Sequence, residues 1–338
     1  MDSTDLQVLK AAVEWLDAGR GVALATVVET WGSSPRPPGA WMALRDDGAI
    51  AGSVSGGCIE EDLVQRTRRA ARVPGKPEII TYGVTPAEAA RFGLPCGGTV
   101  RLVVESAPDA GVLRDMVFRL IKREVIARTL DVSTGHTTLD AAQQEARVSF
   151  DGTHLRTLHG PQWRLLIIGA GQVSQYLAQM ALALDYEIVV CDPRAEYRDT
   201  WSLEGTTLVT DMPDDAVLGL GLDGRSAVVA LTHDPKLDDL ALIDALRSPA
   251  FYVGCLGSAL NTRNRKARLR QHFDLTDGEL DRLHAPVGLP IGSHTPPEIA
   301  LSILAEMTAL KNSLYPLRAQ HREHAATACG SLKHAAQE

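Results

Sequence analysis

The chain has 338 residues, of which 45% are hydrophobic and 22% charged, and its formal net charge is −8. This length suggests two domains, since a domain commonly spans about 150 residues. The acidic balance and the low aromatic content of 5% argue against binding to nucleic acid or to an anionic membrane. No apolar run approaches the roughly 20 residues of a membrane span, and the N-terminus lacks a signal-peptide pattern. The sequence therefore predicts a cytoplasmic protein without a membrane span.

The N-terminal half predicts short elements separated by turns. The predicted helices cover about residues 5–18, 56–71 and 110–123. The predicted strands lie near residues 22–30, 40–44, 49–53, 78–82, 99–105, 125–132, 146–150 and 154–159. Asp46-Asp47-Gly48 stands between two of these strands and is typical of a hairpin turn. The pattern predicts a mixed α/β domain over residues 1–160, with a boundary at Gly160-Pro161.

After this boundary, apolar runs alternate with helical patterns. The runs cover residues 165–168, 187–191, 227–231 and 251–253. Such dense apolar runs indicate strands covered on both faces, as in a parallel sheet. Residues 161–316 are therefore predicted to form a Rossmann-type domain, whose last helix begins with a capping box at Thr295-Pro-Pro-Glu298. The polar tail, residues 317–338, is predicted to be disordered.

The clearest motif follows the first apolar run and reads Gly169-Ala-Gly171-Gln172-Val-Ser174. Gly169 allows a tight turn between strand and helix, and Gly171 lets the backbone approach a phosphate. The free N–H groups and the positive dipole end of the helix favour the same ligand. Ser174 replaces a third glycine and is small enough to keep the helix close to the strand. The loop predicts a nucleotide site, and the alternative is a Rossmann fold with an empty or degenerate site.

The acidic residue that accompanies such loops is also present. Asp192 ends the next predicted strand, where a carboxylate can accept a hydrogen bond from a ribose 2′-hydroxyl. Arg194 lies close by in the chain and suits a 2′-phosphate. The sequence therefore leaves NAD and NADP both open.

Two later segments are predicted at the same edge of the sheet, because they also follow strands. They are His233 and Gly257-Ser258. Ser258 opens a helix with five basic residues: Arg263, Arg265, Lys266, Arg268 and Arg270. The preferred interpretation is a solvated helix face, since charge runs usually form one, and the alternative is a contact with phosphate or with a partner protein.

The five cysteines show no Cys-x-x-Cys spacing, which predicts free thiols and no metal site built from a side-chain cluster. Cys58 follows Gly56-Gly57 at the predicted start of a helix, where the dipole favours a reactive thiolate. Glu60 and Glu61 oppose that effect, and a small buried side chain is the alternative. Cys96, in Pro95-Cys96-Gly97-Gly98, lies in a second glycine-rich loop.

Together these motifs resemble the XdhC/CoxI family of xanthine dehydrogenase accessory factors. The N-terminal signatures are Thr26-Val-Val-Glu-Thr-Trp-Gly-Ser-Ser-Pro35-Arg36, Ser53-Val-Ser-Gly-Gly-Cys58-Ile-Glu60 and Pro95-Cys96-Gly97-Gly98. The C-terminal signatures are Gly169-Ala-Gly171, Asp192-Pro193-Arg194, Thr232-His233-Asp234, Gly257-Ser258 and the segment 286–300. The resemblance covers about residues 5–312 in order. Gln172 stands where the family often has His, and Ser174 where it often has Gly.

The resemblance implies a homodimeric chaperone that binds molybdenum cofactor (molybdopterin) and supports its sulfuration with a cysteine desulfurase. Such a chaperone inserts the cofactor into a xanthine dehydrogenase-type molybdoenzyme. Cys58 and then Cys96 are the candidates for a molybdenum contact or a relay sulfur, beside Gly56 and Gly57. Arg36 is a candidate for the phosphate, and the Gly169 loop for a nucleotide or for the phosphate end of the cofactor.

Three functional hypotheses follow. The first is an accessory protein for assembly, without turnover of its own. The second is an NAD(P)-dependent oxidoreductase with Cys58 or His233 at the reacting centre, although no Ser-Tyr-x-x-x-Lys set follows the glycine loop. The third is a nucleotide-sensing scaffold for molybdoenzyme assembly. A hydride-transfer assay separates the second hypothesis from the others, and nucleotide-dependent capture of a molybdoenzyme supports the third.

Overall fold

A computed structural model describes residues 3–31, 36–70, 75–83, 99–142 and 147–312. The chain divides into two compact units, Met1–Gln162 and Trp163–Glu338. The predicted disordered tail, residues 317–338, lies outside the described residues. In the described part of the chain, no helix is both long enough and apolar enough to cross a membrane.

The first unit contains a five-stranded antiparallel sheet with the strand order β3-β2-β1-β5-β4. Its elements, in chain order, are α1 (Ser3–Asp17), β1 (Val22–Trp31), β2 (Trp41–Arg45), β3 (Ile50–Gly52), α2 (Cys58–Ala70), β4 (Glu78–Tyr82) and β5 (Thr99–Ser106). Alternate residues of the central strand β1 point to opposite faces of the sheet. Ala23 and Ala25 pack with Ile59 and Leu63 of α2. Leu24 belongs to the core that contains residues of α1.

The rest of this unit adds α3 (Ala110–Ile121) and a four-stranded antiparallel sheet with the order β7-β6-β9-β8. The strands are β6 (Ile126–Asp131), β7 (Thr137–Ala141), β8 (Val148–Phe150) and β9 (His154–His159). Strand β7 is absent from the sequence-based prediction because its residues are mostly polar and no side chain in it is fully buried. Its pairing with β6 holds it in the sheet.

The second unit is a six-stranded parallel sheet with the order β12-β11-β10-β13-β14-β15. The strands are β10 (Trp163–Ile168), β11 (Tyr186–Cys191), β12 (Thr206–Val209), β13 (Ser226–Ala230), β14 (Tyr252–Cys255) and β15 (Leu283–His284). The helices are α4 (Gln172–Ala183), α5 (Ala195–Arg198), α6 (Pro213–Gly219), α7 (Pro235–Arg247), α8 (Ala259–Phe273), α9 (Asp277–Asp281) and α10 (Pro296–Lys311).

Both faces of this sheet are buried. Leu166 and Ile168 of β10 pack into one core, and Leu165 and Ile167 pack into the other. This explains the continuous apolar runs in the sequence. The strand order reverses between β10 and β13, and ligands of doubly wound sheets bind at such a switch point. The predicted fold class, a mixed α/β domain followed by a Rossmann-type parallel-sheet domain, is confirmed.

Candidate functional site

The loop before α2 is organised around one carboxylate. The backbone N–H groups of residues 54, 55, 56 and 57 all donate to Glu60, at 2.8–3.0 Å. The hydroxyl of Ser53 donates at 2.7 Å, and that of Ser55 also donates. Glu60 is buried. Helix α2 begins at Cys58, so the carboxylate fixes the backbone that leads directly to this cysteine.

These hydrogen bonds keep the buried carboxylate charged. Burial alone would raise the pKa of Glu60, but hydrogen bonds from Ser55, Ser53 and the loop backbone outweigh it and lower the pKa to about 2. The N–H groups of the loop therefore already have an anionic partner within the chain. A ligand would therefore contact the side of the loop that faces away from Glu60.

The outer face of the loop is open. Gly56 has a φ of +98°, which favours glycine, and a Cβ placed there or at Gly57 would meet no atom of the described residues within 4 Å. A cavity of about 440 Å³ adjoins the loop, within the size range of small-molecule sites. It is lined by Gly48, Ile50, Gly57, Glu60, Glu61, Val64 and Gln65.

Arg36 and Cys96 are the two other residues that the sequence predicts for this site. Arg36 is half-buried in the segment before β2. Cys96 lies outside the described residues, so a site shared by Cys58 and Cys96 stays a prediction.

In the second unit, the glycine loop contacts the end of β13. Gly169 has a φ of +103°, and a Cβ at this position would lie 3.0 Å from Cγ2 of Thr232 and 3.2 Å from its backbone N. Only glycine fits both the backbone conformation and the space. The structure thus brings the ends of β10 and β13 together at the switch point. Gly171 is the N-cap of α4 and, as a glycine, has no side chain to form a capping hydrogen bond.

Asp192 is fully buried and holds this loop. Its Oδ2 accepts from the N–H of Ala170 at 2.8 Å and from Nη2 of Arg194 at 2.8 Å. Its Oδ1 accepts from the backbone N and from Nε of Arg194, at 3.0 and 2.9 Å. Burial opposes ionisation, but the hydrogen bonds from Arg194 and Ala170 dominate and lower the pKa of Asp192.

Four donors therefore occupy the carboxylate that the sequence predicts as a ribose acceptor. A ribose hydroxyl would have to compete with Arg194, whose guanidinium carbon lies 4.0 Å from the centre of the Tyr197 ring. The roles of Asp192 and Arg194 toward a nucleotide stay predictions.

His233 is exposed at the carboxyl end of β13 with a φ of +63°, a conformation that non-glycine residues seldom adopt. Its neighbours hold it there. Oγ1 of Thr232 donates to Oδ1 of Asp238 at 2.7 Å and accepts from the N–H of Asp234 at 3.0 Å. The N–H of Thr232 also donates to Asp238, at 3.1 Å.

Asp238 belongs to a buried ionic network below this edge. Arg265 of α8 donates from Nη2 to Asp238 at 3.1 Å and from Nε to Asp239 at 2.9 Å. Arg268 donates to Asp239 at 2.6 Å. The prediction that the basic residues of α8 form a solvated face is wrong for Arg265, which is buried. Its guanidinium also contacts Cys255 and the backbone oxygen of Leu256, just before the predicted Gly257-Ser258 segment.

The sequence alone does not indicate that Asp238, Asp239 and Arg265 form one network. A signal is present in α8, where Thr262, Arg265 and Leu269 lie three and four residues apart and share a face. All three are buried. Gln172 is exposed in the first turn of α4, and Ser258 is the N-cap of α8. In the described residues, no group of three or more His, Cys, Asp or Glu side chains forms a metal site.

Comparison with known proteins assigns the family. A model of the XdhC and CoxI family matches residues 15–83, and a model of the XdhC Rossmann domain matches residues 165–307. The chain belongs to the XdhC/CoxI family. The two matches include the Cys58 loop in the first unit and the Gly169 edge in the second.

Relatives match over nearly the whole chain. Molybdenum cofactor insertion chaperone PaoD of Escherichia coli (strain K12) is 28% identical over 306 residues, covering 90% of this chain and 88% of that protein. A Bacillus subtilis (strain 168) protein, named as a probable component of xanthine dehydrogenase, is 28% identical over 313 residues, covering 84% of this chain and 91% of that protein.

A solved structure shares the fold. The crystal structure of a xanthine dehydrogenase from Bacillus halodurans aligns with a TM-score of 0.73, covering 94% of this chain and 98% of that chain. The sequence identity is 23%, so this likeness bears on the fold alone. The resemblance found in the sequence is confirmed at the level of the family.

Proposed function

We propose that this XdhC/CoxI family member is a chaperone that binds molybdenum cofactor and inserts it into a xanthine dehydrogenase-type molybdoenzyme. The observation that carries the proposal is the match to PaoD, a molybdenum cofactor insertion chaperone, over 90% of this chain. The open loop beside a cavity of about 440 Å³ in the first unit supports it, because it offers room for a ligand next to the start of α2.

The chemistry of the loop suits such cargo. A thiolate is a soft ligand and matches a thiophilic metal centre. Cys58, at the first position of α2, is the proposed contact with the molybdenum or the relay of sulfur, and Cys96 is the second candidate. Gly56 and Gly57 keep the approach open. Arg36 is the proposed contact with the phosphate of the cofactor, because a guanidinium binds phosphate with charge-assisted hydrogen bonds.

The proposed chaperone has two further partners, a cysteine desulfurase and a second copy of the chain. The chaperone supports sulfuration of the cofactor, with a cysteine desulfurase as the source of sulfur, and it acts as a homodimer. Light scattering of the purified chain measures the dimer. Capture of a purified cysteine desulfurase by the immobilised chain measures the second partner.

The second unit is proposed to bind a nucleotide, either NAD(P) or the phosphate end of the cofactor. The support is the N-terminus of α4 beside the switch point, where N–H groups and the helix dipole favour an anion. The proposed contacts are Gly169, Gly171, Gln172, Asp192, Arg194, His233, Gly257 and Ser258. Titration of the full chain with NAD⁺ and NADP⁺ by calorimetry tests this part separately.

Anaerobic equilibrium binding of molybdenum cofactor to the purified chain tests the main proposal. We expect near-stoichiometric binding by the wild type and at least about tenfold weaker binding by Cys58→Ala, since loss of one good metal contact costs more than about 1.4 kcal/mol. Cys191→Ala is the matched control, because it removes a buried thiol of the second unit. Absence of binding by the wild type would overturn the proposed chaperone function.

Insertion needs its own experiment. A cofactor-free xanthine dehydrogenase-type enzyme is mixed with the cofactor-loaded chain or with free cofactor, and recovery of xanthine oxidation is followed. We expect the loaded chain to restore activity faster and in better yield. Equal recovery from free cofactor would leave a cofactor-binding protein without an insertion role.

A further inference from the structure

The cavity beside the Cys58 loop has walls of a definite chemistry. It lies between the β2–β3 hairpin and α2, and its apolar walls are Ile50 and Val64. Ile50 is a large hydrophobic residue left 47% exposed. Gly48 and Gly57 keep parts of the wall free of side chains. The two apolar side chains can pack against the face of a ring.

Charge at the cavity disfavours a phosphate. The ionisable residues that line it in the described part of the chain are Glu60 and Glu61, both acidic, and none of the lining residues is basic. The four N–H groups of residues 54–57, which would suit an anion, already donate to Glu60. The cavity therefore favours a neutral or donor-rich ligand.

Two side chains on α2 offer complementary polar groups. Glu61 and Gln65 are four residues apart on one face of the helix, and both are exposed and line the cavity. A carboxylate accepts two parallel hydrogen bonds from a planar pair of N–H donors. A carboxamide can donate to a neighbouring carbonyl oxygen. This combination matches the 2-amino-4-oxopyrimidine edge, whose amino group and ring N–H are donors and whose oxygen is an acceptor.

We propose that this cavity is the subsite for the pterin of the cofactor, with Glu61 as the residue that reads its amino and N–H edge. The inference rests on the proposed function. Gln65 donates to the 4-oxo group, and Ile50 and Val64 cover the faces of the ring. Cys58 directly follows Gly57, a lining residue, so the metal contact proposed above is contiguous in the chain with this subsite.

The test uses free heterocycles with the full chain. Pterin and lumazine differ at position 2, where pterin carries an amino group and lumazine an oxo group that would face the carboxylate. By calorimetry we expect pterin to bind at least about tenfold more tightly than lumazine, because only pterin offers the carboxylate a pair of donors. Absence of pterin binding, or equal affinities for the two, would overturn the subsite.

Variants assign the preference to one side chain. Glu61→Gln should abolish the preference for pterin over lumazine, and Glu61→Asp should retain it with weaker binding. Glu14→Gln is the matched control, because Glu14 is exposed on α1 and does not line the cavity. An unchanged preference in Glu61→Gln would contradict the role of this carboxylate.

Guanosine carries the same donor and acceptor edge on a different ring, so it separates the two sources of this chemistry. Tighter binding of guanosine than of pterin would overturn the pterin assignment.

Binding of the whole cofactor by the Glu61→Gln variant distinguishes failure of the subsite from failure of the chaperone function. If the wild type and this variant bind the cofactor equally, the subsite is wrong while the chaperone stands. If pterin binds and the whole cofactor does not, the chaperone and the assignment to the cofactor both fail, and the cavity is a site for a free pterin.

Discussion

At the scale of single residues, two buried carboxylates hold the two candidate sites. Asp192 accepts four hydrogen bonds, from Ala170 and Arg194. Asp192→Asn should therefore destabilise the second unit even without a nucleotide, by about 1–3 kcal/mol, because the amide presents a donor where an acceptor is required. Urea unfolding of the ligand-free protein measures this. Asp199→Asn is the control, since the Asp199 side chain is 70% exposed, and equal stabilities of the two variants would contradict a structural role for Asp192.

Glu60 gives a prediction that depends on pH. Its pKa is lowered from 4.5 to about 2, so the folded state favours the charged form. The resulting stabilisation, about 3 kcal/mol, is present above the pKa of the unfolded chain and is lost as the pH falls from about 4.5 to 2. Acid unfolding of the first unit should follow this window in the wild type.

The corresponding variant tests the same contact at neutral pH. Glu60→Gln should loosen the loop, because Oε1 of Glu60 accepts from the N–H groups of residues 54–56 and Oε2 accepts from that of Gly57, and the amide replaces one of these two acceptors with a donor. Hydrogen exchange of peptides that span the loop should become faster at pH 7 in Glu60→Gln and remain unchanged in Glu61→Gln. Equal protection in all three proteins would show that the ring of donors around Glu60 does not hold the loop.

At the scale of elements, the helices α7 and α8 are joined by buried charge. Arg265 pairs with Asp238 and Asp239, and its removal would leave two buried carboxylates without this partner. Arg265→Met should cost about 3–5 kcal/mol, since breaking a buried ion pair leaves an uncompensated charge. Arg263→Met changes an exposed residue of the same helix and should cost less than about 0.5 kcal/mol. Denaturant unfolding measures both, and similar costs would contradict the network.

The same elements show what the sequence could predict. Strands β10, β11, β13 and β14 contain apolar runs, and burial on both faces explains why the sequence predicts them as strands of a parallel sheet. Strand β12 is short and rich in Thr, so its pattern is weak, and β15 has two residues. Periodicity alone could not separate Arg265 from the exposed Arg263, because both lie in a run of charge and only the packing of α8 on α7 decides which one is buried.

The candidate sites, like the strands, could be predicted only in part from the sequence. The glycines predict tight turns at Gly56 and Gly169, because glycine adopts a positive φ without steric strain. The partners of the loops could not be predicted. Glu60 and Asp192 are visible as acids of the motifs, but their oxygens contact backbone N–H groups whose directions depend on the finished loop. The side of a loop that is open to a ligand can be identified only when the hydrogen bonds on its other side are known.

At the scale of the whole molecule, each hydrophobic core draws its residues from one unit. Among the described residues, three cores lie within residues 1–162 and two within the second unit. We therefore propose that each unit folds without the other, because a domain needs mainly its own core. Residues 1–162 and 163–316, produced separately, should each give a cooperative urea transition. A fragment that unfolds without a cooperative transition would contradict the predicted division of the chain.

The variants sharpen this last prediction. Glu60→Gln should shift only the transition of residues 1–162, and Arg265→Met only that of residues 163–316, because the contacts of each side chain lie within its own unit. Introduced into the full chain, each change should lower one part of the unfolding curve and leave the other part in place. If either variant moved both parts together, the chain would unfold as one cooperative body, and the loops at Cys58 and Gly169 would share their stability.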